Sequence, residues 1–182
     1  EIADRDWSSD VCSSDLITCA EPRRRGILQK REKMEIEIRI AENKDIDGIY
    51  AVEAASFLSP WSRNSLIAEL KSPIAHYVVA EYRGEIVGYG GSWWIVDELH
   101  ITNISVLPLY RGKGIGKAIT GRLIGDGKAA GINNFTLEVR VSNEIAIGMY
   151  SFLGFEIEGR RSAYYRPERE DAYIMWRRDA VR

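Results

Sequence analysis

The sequence of 182 residues is poor in the side chains on which disulfide and zinc chemistry depend. Its only two cysteines, Cys12 and Cys19, are close together near the beginning of the chain, and it has only two histidines. A disulfide framework or a Cys/His zinc site needs more of these residues at characteristic spacings. The sequence therefore predicts chemistry that uses neither a structural disulfide nor a bound metal.

Long apolar runs and an excess of charge of one sign are also missing. No run approaches the roughly 18 apolar residues of a membrane-spanning helix, and the first residues lack the order of a secretory signal. The net charge of -2 gives no overall attraction to nucleic-acid phosphates or anionic membranes. We expect a soluble cytoplasmic protein that binds neither nucleic acid nor membrane, and that binds any anionic ligand through a local site.

Residues 1–33 lack the periodicity of a helix or a strand. A polar segment is followed by a basic one, and residues 6–16, DWSSDVCSSDL, resemble the translation of a sequencing-library adapter. From Met34 onwards, an alternating strand pattern and then a helical pattern begin at once. We expect residues 1–33 to be either a disordered tail or an assembly artefact, and residues 34–182 to form one domain.

The pattern after Met34 is that of a single α+β domain. Alternating apolar residues predict a strand at 36–40, and Asn43 or Asp45 can then cap a helix. Ser62 is placed to cap a second, short helix. Connections too short for a helical crossover predict antiparallel pairing of the next three strand segments, which are HYVVAEY, IVGYGGSWWIV and ELHITNISV.

The second half of the chain adds helices and strands to the same sheet. A helix follows the glycine-rich segment RGKGIGKA, and NFTLEVRV is a strand. Asn143 begins a helix that ends near Gly154, where a C-cap glycine belongs, and its apolar residues, Ile145 and Phe152 among them, predict a largely buried helix. FEIEGR and AYIMWRR complete a mixed, mostly antiparallel central sheet flanked by helices.

The turn RGKGIGKA has the composition of a phosphate-binding loop. Its three glycines leave backbone N–H groups unobstructed where a helix begins, and two lysines add positive charge, so an anionic group can bind there. These residues are Gly112, Gly114 and Gly116, with Lys113 and Lys117. The alternative is a merely flexible turn, which leaves the conformational cost of three glycines without a use.

Two common nucleotide-binding motifs do not fit this turn. A Walker A loop needs a longer spacing than the three residues between Gly112 and Gly116, and it needs a hydroxyl residue where Ala118 stands. A dinucleotide fingerprint needs a glycine in place of Lys117. The remaining pattern is the Arg-x-x-Gly-x-Gly segment typical of GNAT acetyltransferases, formed here by Arg111, Gly114 and Gly116.

Further segments extend this resemblance to residues 34–182, over which the chain resembles the ribosomal-protein-alanine N-acetyltransferases of the GNAT superfamily. The matching segments are SPWS around Trp61, TNISV before the glycine-rich turn, LEVRVSNEIAIGMYSFLGF after it and YYRPEREDAYIM near the end. Their joint order and spacing indicate the family more strongly than the exact substrate, because related pockets modify different amines.

The resemblance implies acetyl-CoA as the cosubstrate. It also implies a V-shaped opening between ELHITNISV and NFTLEVRV that admits the pantetheine arm, with the pyrophosphate held by the glycine-rich turn. The implied cofactor-binding residues are Ile104, Ser105, Val106, Arg111, Gly112, Lys113, Gly114, Ile115, Gly116, Lys117 and Asn143. Capping of the following helix would explain Asn143 equally well.

Aminolysis of a thioester needs a base for the attacking amine and a proton for the departing thiolate. Glu138 alternates with Leu137 and Val139, so it lies on the other face of its strand, and the resemblance assigns it the role of general base through water. The resemblance makes Tyr150 the general acid. The alternatives are a solvated strand glutamate and a core tyrosine.

The implied acceptor is the α-amino group of a protein, namely a small-subunit ribosomal protein that begins with alanine. By analogy, the substrate-binding residues are Trp61, Asp97, Glu98, Tyr164 and Tyr165, with the two acidic residues near the mouth of the channel. Alternatives are acetylation of a protein lysine or of a small-molecule amine, and a regulatory module that binds acetyl-CoA without turnover.

Overall fold

A computed structural model describes residues 34–57 and 60–180. This part of the chain forms one seven-stranded sheet with four α-helices and two short 3-10 turns. The elements are β1 (Glu37–Ile40), α1 (Ile46–Ser56), α2 (Arg63–Leu70), β2 (Ala75–Tyr82), β3 (Glu85–Ile95), β4 (Glu98–Val106), α3 (Ile115–Ala129), β5 (Asn134–Arg140), α4 (Glu144–Phe152), β6 (Glu156–Tyr165) and β7 (Glu170–Arg178).

The sheet has the strand order β1-β2-β3-β4-β5-β7-β6. Its neighbouring strands are antiparallel except for β4 and β5, which are parallel. The two-residue turn between β2 and β3 has positive φ at both Arg83 and Gly84, as a tight hairpin requires. The predicted mixed, mostly antiparallel sheet and the antiparallel pairing of its first strands are confirmed.

The two parallel strands, β4 and β5, separate along their length. Pairing runs from Glu98 opposite Asn134 to Ile101 opposite Leu137 and then ends. At the same place, the register between β3 and β4 shifts, and Thr102 is the extra residue on β4. Because a bulge bends its strand and strengthens the local twist, Thr102 turns the rest of β4 away from β5. The V-shaped opening expected between these strands is present.

Helices cover both faces of the sheet. The face carrying α3 and α4 has a core that includes Ile119, Leu123, Phe135 and Leu137, all buried. The opposite face is covered by α1 and α2, whose Ile49, Val52 and Leu66 pack against Tyr77 and Tyr89 of the sheet. This layered arrangement buries both sides of the central strands.

Several helix ends follow the predicted capping residues. The Ser62 hydroxyl accepts a hydrogen bond from the Ser65 N–H at 3.1 Å. After α4, Gly154 has φ +86, and the Phe155 N–H bonds back to the Tyr150 carbonyl at 3.0 Å, as in a Schellman motif. The predicted caps at Ser62 and Gly154 are confirmed.

The expected cap of the first helix is only partly right. Asp45 directly precedes α1, but its side chain makes no cap bond to that helix. Both of its oxygens bind the Arg39 guanidinium, at 2.7 and 2.8 Å, which also lowers the pKa of the Asp45 carboxyl. This ion pair joins β1 to the start of α1, and the sequence pattern around Asp45 did not reveal it.

The expectation that residues 1–33 lie outside the domain falls outside the described residues and stays a prediction. Among the described helices, none combines the length and apolar character needed to cross a membrane.

Candidate active site

The backbone of β4 beyond the bulge is directed into the opening. The Leu107 N–H donates to the Val87 carbonyl of β3 at 2.9 Å. Because backbone groups of successive strand residues point to opposite sides, those of Ile104 and Val106 point away from β3, towards the place where β5 has separated. An extended chain such as pantetheine can therefore bind along this edge.

Ser105 has the opposite orientation. It lies across from Tyr89 of β3, and its side chain is on the face covered by α1 and α2. Within the described residues, its buried hydroxyl has no hydrogen-bond partner. The Ser105 backbone is thus directed to β3, and its hydroxyl is buried beneath α1 and α2.

The glycine-rich turn presents unpaired N–H groups at the start of α3. Gly112 and Gly114 have φ of +72 and +82, and a Cβ atom at either would meet nothing within 4 Å, so their outer sides are open. The first helical hydrogen bond of α3 joins the Ala118 N–H to the Gly114 carbonyl. The N–H groups of the three preceding residues therefore have no partner in the helix, and they can hold a phosphate.

The cations of this turn are held by neighbouring groups. The ammonium of Lys117 lies 3.6 Å from the ring centre of Phe152, and that of Lys113 lies 5.1 Å from the ring centre of Tyr110. Arg111 points back into the protein, where its Nε donates to the Val106 carbonyl at 2.9 Å. Arg111 therefore fixes the turn to the end of β4.

The helix α4 is less buried than its apolar sequence predicts. Ile145 and Phe152 are 87% and 72% exposed, so the expectation of a largely buried helix is wrong for them. Two other apolar residues of the same helix, Ile147 and Met149, do pack on the core. Helical spacing alone did not show that one side of α4 remains in solvent.

Glu138 lies on β5 just beyond the last residue that pairs with β4. Since Leu137 and Val139 belong to the core beneath α3, Glu138 faces the other side of the sheet. Its carboxylate is 26% exposed and lies 3.2 Å from the Arg161 guanidinium of β6. The Tyr165 hydroxyl donates to the Glu138 backbone carbonyl at 3.3 Å.

Tyr150 lies on α4, packed edge-on against Phe155 with the ring centres 5.9 Å apart. It is 8% exposed, and burial raises the pKa of its phenol well above the usual value. Burial also raises the pKa of Tyr165, with smaller contributions from Tyr164, Tyr150 and Glu138 in the same direction. Tyr165 therefore contacts Tyr164 and the Glu138 backbone and senses the charge state of Tyr150.

A bulge in β6 brings Tyr164 and Tyr165 close to β5. From Arg161 to Tyr165, β6 spans four residue steps, whereas the paired segment of β7, from Ala172 to Glu170, spans only two. Ala163 within the bulge has φ +52, and its N–H donates to the Asp171 carboxylate at 2.8 Å. The bulge directs Tyr164 and Tyr165 towards β5, and the Arg140 guanidinium lies 4.1 Å from the ring centre of Tyr165.

Trp61 lies in the connection between α1 and α2. The Trp61 backbone N–H donates to the Glu53 carboxylate at 3.1 Å, and the same buried carboxylate accepts a hydrogen bond from the Tyr89 hydroxyl. The Trp61 side chain packs beside the core beneath α1 and α2. Glu53, which the sequence pattern did not single out, thus anchors the segment that carries Trp61 to β3.

Asp97 and Glu98, expected near the mouth of the peptide channel, lie at the end of β4 that is paired with β5. Glu98 lies opposite Asn134, at the paired end of β4 and β5. Ile104 lies six residues further along β4, roughly 20 Å away at the usual rise per residue. The sequence does not reveal which ends of two parallel strands separate, and here it is the end that follows Thr102.

A model of the acetyltransferase (GNAT) family matches residues 46–155. This is more than half of the chain, and it spans the opening, the glycine-rich turn and α4. The chain belongs to the GNAT acetyltransferase family. It is accordingly an acetyl-CoA-dependent N-acetyltransferase.

Named relatives of this GNAT enzyme cover most of its length. It is 41% identical over 145 residues to a Bacillus subtilis (strain 168) protein provisionally assigned as a ribosomal protein bS18-alanine N-acetyltransferase, with 79% of this chain and 96% of the relative covered. It is 38% identical over 135 residues to the Mycobacterium tuberculosis N-alpha-acetyltransferase RimI, covering 71% and 83% of the two chains.

A solved structure also resembles this GNAT enzyme closely. The ribosomal-protein-S18-alanine N-acetyltransferase of Escherichia coli superimposes with a TM-score of 0.75 at 29% identity, covering 81% of this chain and 96% of the other. Ard1 from Thermoplasma volcanium has a TM-score of 0.72 at 24% identity, with 80% and 98% covered, and shows the shared fold.

The groups in the opening of this GNAT enzyme fit acetyl-CoA. The outward backbone of β4 suits the extended pantetheine arm, and the unpaired N–H groups at the start of α3 suit the pyrophosphate. In the described part of the chain, no group of three or more His, Cys, Asp or Glu side chains is arranged to hold a metal ion.

Sequence reasoning missed two residues of this site, Arg161 and Phe152. Arg161 contacts Glu138, and Phe152 stands beside the glycine-rich turn under the Lys117 ammonium. Both contacts join segments distant in the sequence. For Phe152, the one available signal was its own position, as an aromatic residue at the end of α4 and close to Tyr150.

Proposed function

We propose that this enzyme transfers the acetyl group of acetyl-CoA to the α-amino group of a protein, namely the alanine N-terminus of a small-subunit ribosomal protein of the bS18 type. The observation that carries the proposal is the set of relatives named for this activity, at 31% to 41% identity, of which the chain covers 90% to 96%. Such an acceptor places the reaction in the cytoplasm, with a protein rather than a nucleic acid or a membrane as the partner.

The donor side of the proposal uses the glycine-rich turn and the open edge of β4. The N–H groups from Gly112 to Lys117 hold the pyrophosphate, and Lys113 and Lys117 supply positive charge. The backbone of Ile104 and Val106 binds the pantetheine arm, which supplies the acetyl thioester. Ser105 lies beside it, and its buried, unpartnered hydroxyl is a candidate donor within the described residues.

Arg111 and Asn143 support this donor side in different ways. The hydrogen bond from Arg111 to the Val106 carbonyl fixes the turn against β4, so Arg111 supports the donor side by holding the turn in place. The Asn143 side-chain oxygen accepts the Ala146 N–H at 3.2 Å and caps α4. Its amide N–H₂ group is then the part that can bind the cofactor.

The acceptor side places Glu138 and Tyr150 on the two elements that border the opening. Glu138 accepts the amine proton through water as the C–N bond forms, and Tyr150 gives its proton to the sulfur as the C–S bond breaks. Burial raises the pKa of Tyr150, so its phenol stays protonated and ready to donate. A free α-amine has a pKa of about 7.7 to 8.0, so a weak base such as a carboxylate is enough to take its proton.

Aromatic residues form the walls of the proposed peptide channel. Tyr164 and Tyr165 stand edge to face with ring centres 5.0 Å apart beside Glu138, and Trp61 lies in the connection between α1 and α2. Such rings offer apolar contact area together with hydroxyl and N–H groups that can bind a peptide backbone. Because of their position at the paired end of the strands, Asp97 and Glu98 have no role in this proposal.

A pair of peptides tests the proposed acceptor class. One has a free N-terminal alanine and no lysine; the other has a blocked N-terminus and one lysine. Because the α-amine is far more often neutral near pH 7, the alanine peptide should be acetylated faster, as followed by mass spectrometry. A preference for the lysine peptide would instead favour a protein lysine or another amine as the substrate.

A further inference from the structure

Arg161 is placed to act on both the base and the acceptor. Its guanidinium lies 3.2 Å from the Glu138 carboxylate and 5.5 Å from the ring centre of Tyr164. It comes from the last residue of β6 before the bulge, so the element that presents the two tyrosines also presents this charge. Arg161 is 52% exposed and Glu138 26% exposed, so the pair is open to an incoming amine.

The other charged and titratable groups around Glu138 are Arg140 and three tyrosine phenols. On β5, Arg140 binds Glu170 of β7 at 2.6 Å and also stands over the Tyr165 ring. The phenols of Tyr164 and Tyr165 come from β6, and that of Tyr150 comes from α4. Burial raises the pKa of each phenol, so all three are neutral near pH 7. Within the part of the chain that the structure describes, Arg161 is a cation in direct contact with the proposed base.

We propose that Arg161 is a positioning residue that holds Glu138 in place and makes the acceptor site select the neutral form of the amine. The inference rests on the proposed function, since it needs an amine that must lose a proton beside Glu138. An ammonium ion that binds Glu138 lies close to the guanidinium and is repelled by it. A neutral amine can approach without that competition.

The physical basis is repulsion between two cations at one carboxylate. A like charge near an ionisable amine disfavours its protonated form and lowers its pKa in the complex. Removing the positive charge of Arg161 therefore raises the pH at which the bound amine loses its proton. Because Arg161 is half exposed and water screens it, we expect a shift of about half a unit to one unit.

The experiment compares three variants with the natural enzyme on a peptide with a free N-terminal alanine. Arg161→Gln removes the charge, Arg161→Lys keeps it, and Arg160→Gln removes the same charge from the neighbouring residue, which pairs with Asp171 at 2.6 Å. The pH dependence of kcat is the main measurement, because it reports ionisations in the enzyme–substrate complex. The KM for the peptide is measured at a pH below the acid limb, and melting temperatures confirm folding.

In Arg161→Gln, the acid limb of kcat should move up by about half a pH unit to one unit, and the KM below that limb should fall because ammonium then binds Glu138 unopposed. Arg161→Lys should have the acid limb and the KM of the natural enzyme, and Arg160→Gln should also leave the acid limb and the KM unchanged. A lower kcat at every pH without a moved limb, or an equal shift in Arg160→Gln, would overturn the inference and leave acetylation of the peptide standing. No acetylation by the natural enzyme would refute the proposed function itself.

Discussion

The hydroxyl of Tyr165 donates a hydrogen bond of 3.3 Å to the backbone carbonyl of Glu138. This bond joins the end of β6 to β5 at the residue where β5 has lost its pairing with β4. The position of the proposed base is therefore coupled to the bulge that presents Tyr164. The proposed base and the proposed peptide-binding tyrosines are thus attached to the same piece of backbone.

The conformation of Gly114 should be required for binding of acetyl-CoA. Gly114→Ala forces a side chain into φ +82 and should disturb the N–H groups of the turn, lowering the affinity about tenfold or more in calorimetry. Gly84→Ala is the matched control, since Gly84 has φ +84 and open space in the β2–β3 hairpin. Both variants should lose about 1 kcal/mol of stability, and only the first should lose affinity. Equal affinities would show that the turn does not bind the cofactor.

Replacement of the proposed base should reduce turnover without affecting the donor. Glu138→Gln should lower kcat by about 10² to 10⁴-fold and leave acetyl-CoA affinity nearly unchanged, because the side chain lies on the acceptor side of the sheet. Activity should recover in part at high pH, where the amine is already neutral. Glu158→Gln, which alters a β6 carboxylate paired with Arg178, should behave like the natural enzyme. A normal kcat in Glu138→Gln would show that Glu138 is a solvated strand glutamate and not the base.

The two roles open to Tyr150 differ in their effect on the leaving group. Tyr150→Phe removes only the hydroxyl, so a core role predicts nearly normal turnover and a proton-donor role predicts a large loss of kcat in a folded protein. Tyr77→Phe removes another buried phenol, on the opposite face of the sheet, and serves as the control. An acetyl thioester of a coenzyme A analogue with a more acidic thiol should rescue Tyr150→Phe and not Glu138→Gln. Rescue of both variants to the same degree would mean that the acid and base are wrongly assigned.

Capping and cofactor binding by Asn143 can be separated by a single substitution. Asp is as good a helix cap as Asn, so Asn143→Asp keeps the bond to the Ala146 N–H while removing the side-chain N–H₂ donor. If the amide contacts the cofactor, calorimetry should show weaker acetyl-CoA binding at an unchanged or higher melting temperature. Unchanged affinity in Asn143→Asp would identify the residue as a cap alone.

The parts of the fold that depend on neighbouring residues could be predicted from the sequence. The turn at Arg83 and Gly84, the caps at Ser62 and Gly154 and the strand ELHITNISV follow from local spacing and backbone preference. The glycine-rich turn could be predicted for the same reason, since the N–H groups proposed to bind phosphate lie within one short segment.

The features that the sequence did not reveal depend on contacts between distant segments. The bulge at Thr102 decides which ends of β4 and β5 separate, and it therefore decides that Glu98 lies away from the opening. The contact of Arg161 with Glu138 requires both the strand order and the bulge in β6. No periodicity in a single strand specifies such pairings.

The central claim, transfer to an N-terminal α-amine, is tested most directly on a peptide that carries both kinds of amine. The peptide has a free N-terminal alanine and one internal lysine, is incubated with the enzyme and acetyl-CoA near pH 7, and is sequenced by tandem mass spectrometry. The account predicts a single added acetyl group on the alanine nitrogen, with the lysine unmodified. An acetyl group found on the lysine side chain, with the alanine nitrogen free, would contradict it.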